Sequence, residues 1–171
     1  MTREMLQNWR VASLARERDG ADSSIATEDQ LLASRRQLIA DDADCSDFWV
    51  FGYGSLIYNP IIDHTQRAIA SIYGYNRRFC LWTKIGRGSP ECPGLVLSLD
   101  RGGSCRGVAF QLNPQNAIAE LDLLWRREMI TLAYQPRLLS CILKLASNAA
   151  WSLSQTPATR PMRSACLLRQ P

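Results

Sequence analysis

The chain has 171 residues, 46% of them hydrophobic and 21% charged, which is the composition of one soluble globular domain with a short appendage. No apolar run approaches the roughly 18 residues of a membrane-spanning helix, and the opening MTREMLQNWR lacks an apolar signal core, so a cytoplasmic protein is expected. One His and six Cys without a C-x-x-C leave no zinc motif and no disulfide rhythm, so no metal is expected and the thiols are read as reduced.

The net charge of +4 is unevenly spread. Residues 1–47 carry 6 basic and 10 acidic side chains, residues 48–137 carry 10 and 6, and residues 138–171 carry 4 and none. The basic residues are scattered rather than drawn into a stripe with aromatics, so nucleic acid is not an expected partner.

In chain order, residues 1–46 read as a helical extension. Thr27-Glu28-Asp29-Gln30 is a capping box that predicts a helix over about residues 28–40, with Leu31, Leu38, Leu32 and Ile39 giving a modest apolar face. The acidic run Asp41–Asp44 reads as a solvated linker. Phe48-Trp49-Val50-Phe51 is a buried strand running into Gly52-Tyr53-Gly54-Ser55-Leu56. Residues 68–75 and 79–82 are β-branched and aromatic enough for further strands. Residues 94–99 and 107–112 read as strands flanking a hairpin turn at Asp100-Arg101-Gly102-Gly103, with Val108, Phe110 and Leu112 on one buried face. The fold class is therefore α+β, a mostly antiparallel sheet or small β-barrel with flanking helices. Asn113-Pro114 predicts a helix start, with Asn at N-cap and Pro at N1, and the helix is expected to reach about Ile130.

That helix holds the most informative residue. Its apolar stripe is Ile118, Leu121, Leu124 and Trp125. At helical spacing Glu128 falls about 20° from Leu121, about 40° from Leu124 and about 60° from Trp125, while Arg126 and Arg127 point elsewhere. A carboxylate on a core-facing stripe is costly without partners or a task. Desolvation raises its pKa and suits it to general acid/base work; pairing with a buried Arg or a backbone group is the structural alternative.

The Gly52-Tyr53-Gly54-Ser55 turn is the second candidate, because two glycines let backbone N–H groups approach a ligand closely. It is no dinucleotide fingerprint, since Ile57 stands where a third glycine would be needed, and no Gly-Lys-Ser/Thr follows to make a phosphate loop. On its own such a turn is usually just a tight turn. Cys80 reads as core, and Cys92 and Cys105 as in or near loops. His64 reads as a loop or helix-start residue. Arg77 and Arg78 suit either a solvated face or anion contacts.

Taken together, several of these segments resemble the ChaC-type γ-glutamylcyclotransferases. The likeness runs through residues 49–57 (WVFGYGSLI), 74–80 (GYNRRFC), 87–90 (RGSP), 93–97 (PGLVL), 102–105 (GGSC), 107–110 (GVAF), 124–130 (LWRREMI) and 134–136 (YQP), in the family's order. The resemblance implies a small barrel with flanking helices and no cofactor, acting on glutathione by internal cyclisation to release 5-oxoproline and cysteinylglycine. Carried over, Val50, Phe51, Gly52, Tyr53, Gly54 and Ser55 would hold the γ-glutamyl end through backbone groups, and Leu56 would complete the loop. Glu128 would accept the proton, and Tyr134 would complete the pocket. Glutathione is the expected partner, with no membrane and no assignable oligomeric state.

The likeness stops near Arg137. This divides the chain into an extension (1–46), a cyclotransferase-like core (47–137) and an atypical tail (138–171) that replaces the end of the domain. The tail has no Asp or Glu in 34 positions, a chance of about one in a hundred at ordinary composition, and shows no helical or strand period. An out-of-frame origin would leave the barrel without its last strand. Alternatives open at this point are a cyclotransferase for other γ-glutamyl amino acids, a non-catalytic remnant, or a glutathione-binding module.

Overall fold

A computed structural model describes residues 2–9, 12–13, 25–84, 88–89, 91–144 and 161–169. The elements are helices α1 (Arg3–Gln7), α2 (Glu28–Leu38) and α3 (Ala117–Glu128), and strands β1 (Trp49–Gly52), β2 (His64–Thr83), β3 (Gly94–Leu112), β4 (Tyr134–Lys144) and β5 (Pro161–Arg169). The strands form a closed barrel in the order β1-β3-β2-β4-β5. Neighbours are antiparallel, with Val50 opposite Phe110, Ile72 opposite Cys141 and Leu138 opposite Ala165. The closing seam is a short parallel pairing of β1 with β5, Trp49 opposite Ser164 and Val50 opposite Ala165.

The unbroken apolar run of β1 is explained by burial on both faces. Trp49 and Phe51 point into the barrel with Ala70, Ile72, Leu99, Ala109 and Leu143. Val50 points outward into a second core with Phe110 and Leu112, under Leu31 of α2 and Leu121, Leu124 and Trp125 of α3. A strand sandwiched in this way loses the polar/apolar alternation of a solvated sheet.

The capping box forms as expected: Thr27 Oγ1 accepts from Gln30 N at 3.2 Å and Gln30 Oε1 from Thr27 N at 2.8 Å. The extension packs on α3 through buried charge. Arg3 makes a two-pronged contact with Glu120 at 2.8 and 2.5 Å, and Glu120, 1% exposed, also accepts from Asp63 N at 2.9 Å. Arg35 on α2, equally buried, donates to Asp122 of α3 at 2.8 Å and pairs with Asp41 at 2.6 Å. Asp41 therefore belongs to an ion-pair cluster rather than to a solvated linker.

Several expectations are corrected. The hairpin turn at Asp100–Gly103 does not exist: β2 and β3 are each continuous, paired from His64–Leu112 to Thr83–Gly94. The glycines of the two strands meet instead in a bulge, where the register shifts between Tyr73 and Tyr75 and Gly74, Gly102 and Gly103 have φ of 82°, 97° and 69°. Asn76 Nδ2 donates to Arg101 O and Gly102 O and holds the kink. Glycine bends the ribbon here instead of ending it. The third helix begins at Ala117, not Pro114, because the Asn113 side chain accepts from Gln115 N at 3.1 Å and forms a turn first. It ends at Glu128 rather than near Ile130.

His64 opens β2, its ring 5.0 Å from that of Phe110. Cys105 is a buried strand residue, and Cys80 is only half-buried, at a register shift between Phe79 and Leu81. The tail does carry a strand period, with Leu139, Cys141 and Leu143 facing the barrel interior within the apolar run, so β4 continues through position 137. A last strand, β5, follows. Expected helix within residues 14–24, Arg87 and Pro90 of the RGSP segment, and residues 145–160 of the tail lie outside the described residues. No helix among the described residues is long and apolar enough to cross a membrane.

Candidate active site

β1 delivers the chain into the glycine turn. At Gly52 a β-carbon would lie 3.0 Å from Leu56 Cβ and 3.2 Å from the Phe110 ring, so the reversal depends on a residue without a side chain. Tyr53 anchors one side of the turn in the barrel core, and Leu56 anchors the other beneath the helices. Arg77 of β2 donates to Tyr53 O at 3.1 Å, giving one of the two candidate arginines a structural task. Arg78 pairs with Asp100 at 3.3 Å. Residues Ser55–Ile57 then form a single 3₁₀ turn with no side-chain cap. Ile57 N bonds to Gly54 O, and Tyr58 N to Ser55 O.

The turn forms one wall of a cavity of about 970 Å³. Val50, Phe51, Tyr53, Gly54, Ser55 and Leu56 line it; Gly52 does not, and acts by letting the turn close. The C-terminal end of α3 and the residues after it form a second wall, including Leu124, Trp125, Arg127, Glu128 and Tyr134. The far end of the β2–β3 ribbon makes the third, with Phe79, Trp82 and Leu97. Phe79 and Trp82, with Tyr58, are exposed aromatics at its edge. The cavity brings together residues more than 70 positions apart in sequence, as Ser55 and Arg127 illustrate.

Glu128 closes α3 with its side chain 17% exposed. Burial pushes its carboxyl above the ordinary carboxylate range, and the neighbouring Arg127 opposes that shift. Arg127 Nε lies 2.9 Å from Glu128 Oε1, Nη2 donates to Ser55 Oγ at 3.2 Å, and Nη1 donates to Asn59 O. Tyr134 OH donates to Leu97 O at 3.5 Å. Burial first, and then the Glu128 charge, push that phenol up to about 12, so it keeps its proton at neutral pH. The arrangement therefore offers a carboxyl raised by burial, a neutral phenol and a backbone turn around one cavity.

The structure brings the turn, Glu128 and Tyr134 around one cavity. Arg127 was missed. Helix geometry puts its α-carbon about 100° from that of Glu128, but its long side chain folds back into the same cavity. Lys84, at the end of β2, also lines the cavity and carried no sequence signal. Arg126, by contrast, does point away, pairing with Glu28 and lying over the Trp9 ring.

Comparison with known proteins gives a consistent picture. The family described as ChaC-like protein matches residues 48–160. A glutathione-specific γ-glutamylcyclotransferase of Escherichia coli is 40% identical over 115 residues, 67% of this chain and 50% of the relative. The human glutathione-specific γ-glutamylcyclotransferase 1 is 33% identical over 103 residues, 59% of this chain and 46% of the relative. The chain spans about half the length of the curated relatives it matches. A crystal structure of the yeast cyclotransferase specific to glutathione superposes with a TM-score of 0.57 at 22% identity, covering 70% of this chain and 68% of that one, a likeness of fold.

Proposed function

The chain belongs to the ChaC-like family, and from that premise we propose that it is a glutathione-specific γ-glutamylcyclotransferase working in the cytoplasm. The observation that carries this reading is the shared cavity: Glu128 and residues Tyr53–Leu56 of the turn face the same space and are bridged by Arg127. The names of the relatives support glutathione as substrate.

The chemistry needs no enzyme nucleophile. The γ-glutamyl α-ammonium gives a proton to Glu128, and the freed amine attacks the γ-carbonyl carbon to close a five-membered ring. In the tetrahedral intermediate the attacking nitrogen sheds its second proton to solvent, the bond to the cysteine nitrogen breaks as that nitrogen takes the first proton back from Glu128, and the released amine gains its last proton from solvent. The products are 5-oxoproline and cysteinylglycine, with atoms and charge balanced. The protein's main contribution is to hold amine and carbonyl together, which removes an entropic barrier. A carboxyl raised by burial is suited to both proton transfers. Backbone N–H groups of the turn hold the α-carboxylate and favour negative charge developing on oxygen. Tyr134, protonated and donating to Leu97 O, closes the pocket. A cavity of about 970 Å³ accommodates a whole tripeptide, and Lys84 on its wall offers a cation to the distal glycine carboxylate.

The test is incubation of the purified protein with glutathione and chromatographic detection of 5-oxoproline and cysteinylglycine. Glu128→Gln should lower kcat by about 10²–10⁴-fold. Turnover of other γ-glutamyl amino acids in preference to glutathione would move the assignment to the broader cyclotransferases. Saturable glutathione binding without product would make the protein a binding module.

A further inference from the structure

We propose that Arg127 is a positioning residue that locks the Glu128 carboxylate to the glycine turn, so that proton acceptor and backbone subsite form one preassembled unit. The inference deepens the cyclisation reading and rests on it for its catalytic consequence.

The geometry is three-pronged. One guanidinium meets Glu128 Oε1 at 2.9 Å through Nε, Ser55 Oγ at 3.2 Å through Nη2, and Asn59 O through Nη1. Its side chain is 9% exposed, while its partners Ser55 and Asn59 lie at the surface. Ser55 opens the 3₁₀ turn and Asn59 follows it, with Asn59 N donating to Ser55 O at 3.0 Å. Arg127 thus grips both ends of the turn and the carboxylate beside it. Two guanidinium nitrogens donate to the turn while Nε pairs with the carboxylate as an ion pair; a lysine ammonium, a point charge on a flexible stem, does not reproduce this. The arrangement also commits Arg127 to the protein, which leaves Lys84 as the other cationic side chain on the cavity wall among the described residues.

The guanidinium has an electrostatic role as well. Five ionisable side chains line the cavity with Glu128: Arg127 on its own helix, Tyr134 on β4, Lys84 at the end of β2, and Tyr53 and Tyr58 beside the turn. Burial raises the carboxyl and Arg127 pulls it back. Tyr134, neutral with its pKa near about 12, adds no charge at working pH. Loss of Arg127 should therefore move the Glu128 titration to higher pH and loosen the turn.

The experiment follows the Glu128 carboxyl by ¹³C NMR titration, and kcat and KM against pH, in wild type, Arg127→Gln, Arg127→Lys and Ser55→Ala. Arg127→Gln should shift the NMR titration and the acid limb of kcat upward, and lower kcat on the order of 100-fold with a smaller change in KM. Arg127→Lys should restore most of the titration but not kcat. Ser55→Ala should lower kcat several-fold while leaving the titration in place. A folded Arg127→Gln protein with wild-type titration and kcat would overturn the proposal, as would an Arg127→Lys protein with wild-type kcat. The titration needs no turnover: a wild-type protein that leaves glutathione intact sinks the cyclisation, while the Glu128–Arg127 coupling is still read directly.

Discussion

At the residue scale the site is governed by one carboxyl and what surrounds it. Burial disfavours the charged form of Glu128, and Arg127 partly restores it. In the proposed mechanism protonated Glu128 cannot take the amine's proton, so activity should fall as pH drops through its raised pKa. A kcat–pH profile should place this acid limb above the ordinary value of 4.5; a limb at or below that value would contradict the burial argument. The same shift acts on folding with the opposite benefit. In the pH interval between the unfolded and folded values, native Glu128 retains a proton that the unfolded chain has released. Its contribution therefore lowers stability as pH rises through that interval. Glu128 was legible in sequence because periodicity alone set it within about 20° of Leu121. Arg127 was not, because a side chain of that length reaches partners chosen by the tertiary fold.

At the element scale, buried ion pairs tie the helices to one another. Arg35 joins α2 to α3 through Asp122, to Asp41 and to the carbonyl of Ile39 at 3.0 Å. Replacing Arg35 by Ala leaves two carboxylates, 23% and 54% exposed, which rehydrate in part. The cost should therefore sit at the low end for a broken buried pair, about 3 kcal/mol by urea denaturation. A loss below 1 kcal/mol would show that the cluster is a surface feature. The capping box at Thr27–Gln30 was readable because it is a local pattern, complete within four residues. The β2–β3 ribbon was not. Asp-Arg-Gly-Gly reads as a hairpin turn, and only the opposing Gly74 and the Asn76 amide turn those glycines into a bulge within two long strands.

At the scale of the whole molecule, closure is decided by the C-terminal strands. β4 pairs with β2 on one side and β5 on the other, and β5 reaches β1 through two residue pairs. Ending the chain after Lys144 would bare the edges of β1 and β4. The shortened protein should lose its cooperative thermal transition and scatter light as it aggregates. A truncated chain with wild-type Tm that stays monomeric would show that β5 is dispensable. The acid-free composition of residues 138–171 remains unusual, yet the alternation Leu139-Cys141-Leu143 within it lines the barrel interior.

The amino-acid sequence by itself determined the antiparallel class, the doubly buried first strand, the capped second helix and the placement of Glu128 on a core-facing stripe. These depend on spacing along the chain, which backbone geometry converts directly into faces and turns. The tertiary structure alone decided the bulged ribbon, the closing parallel seam and the Arg127 bridge from Glu128 to Ser55. These depend on residues distant in sequence meeting in space, and no local periodicity encodes such a meeting.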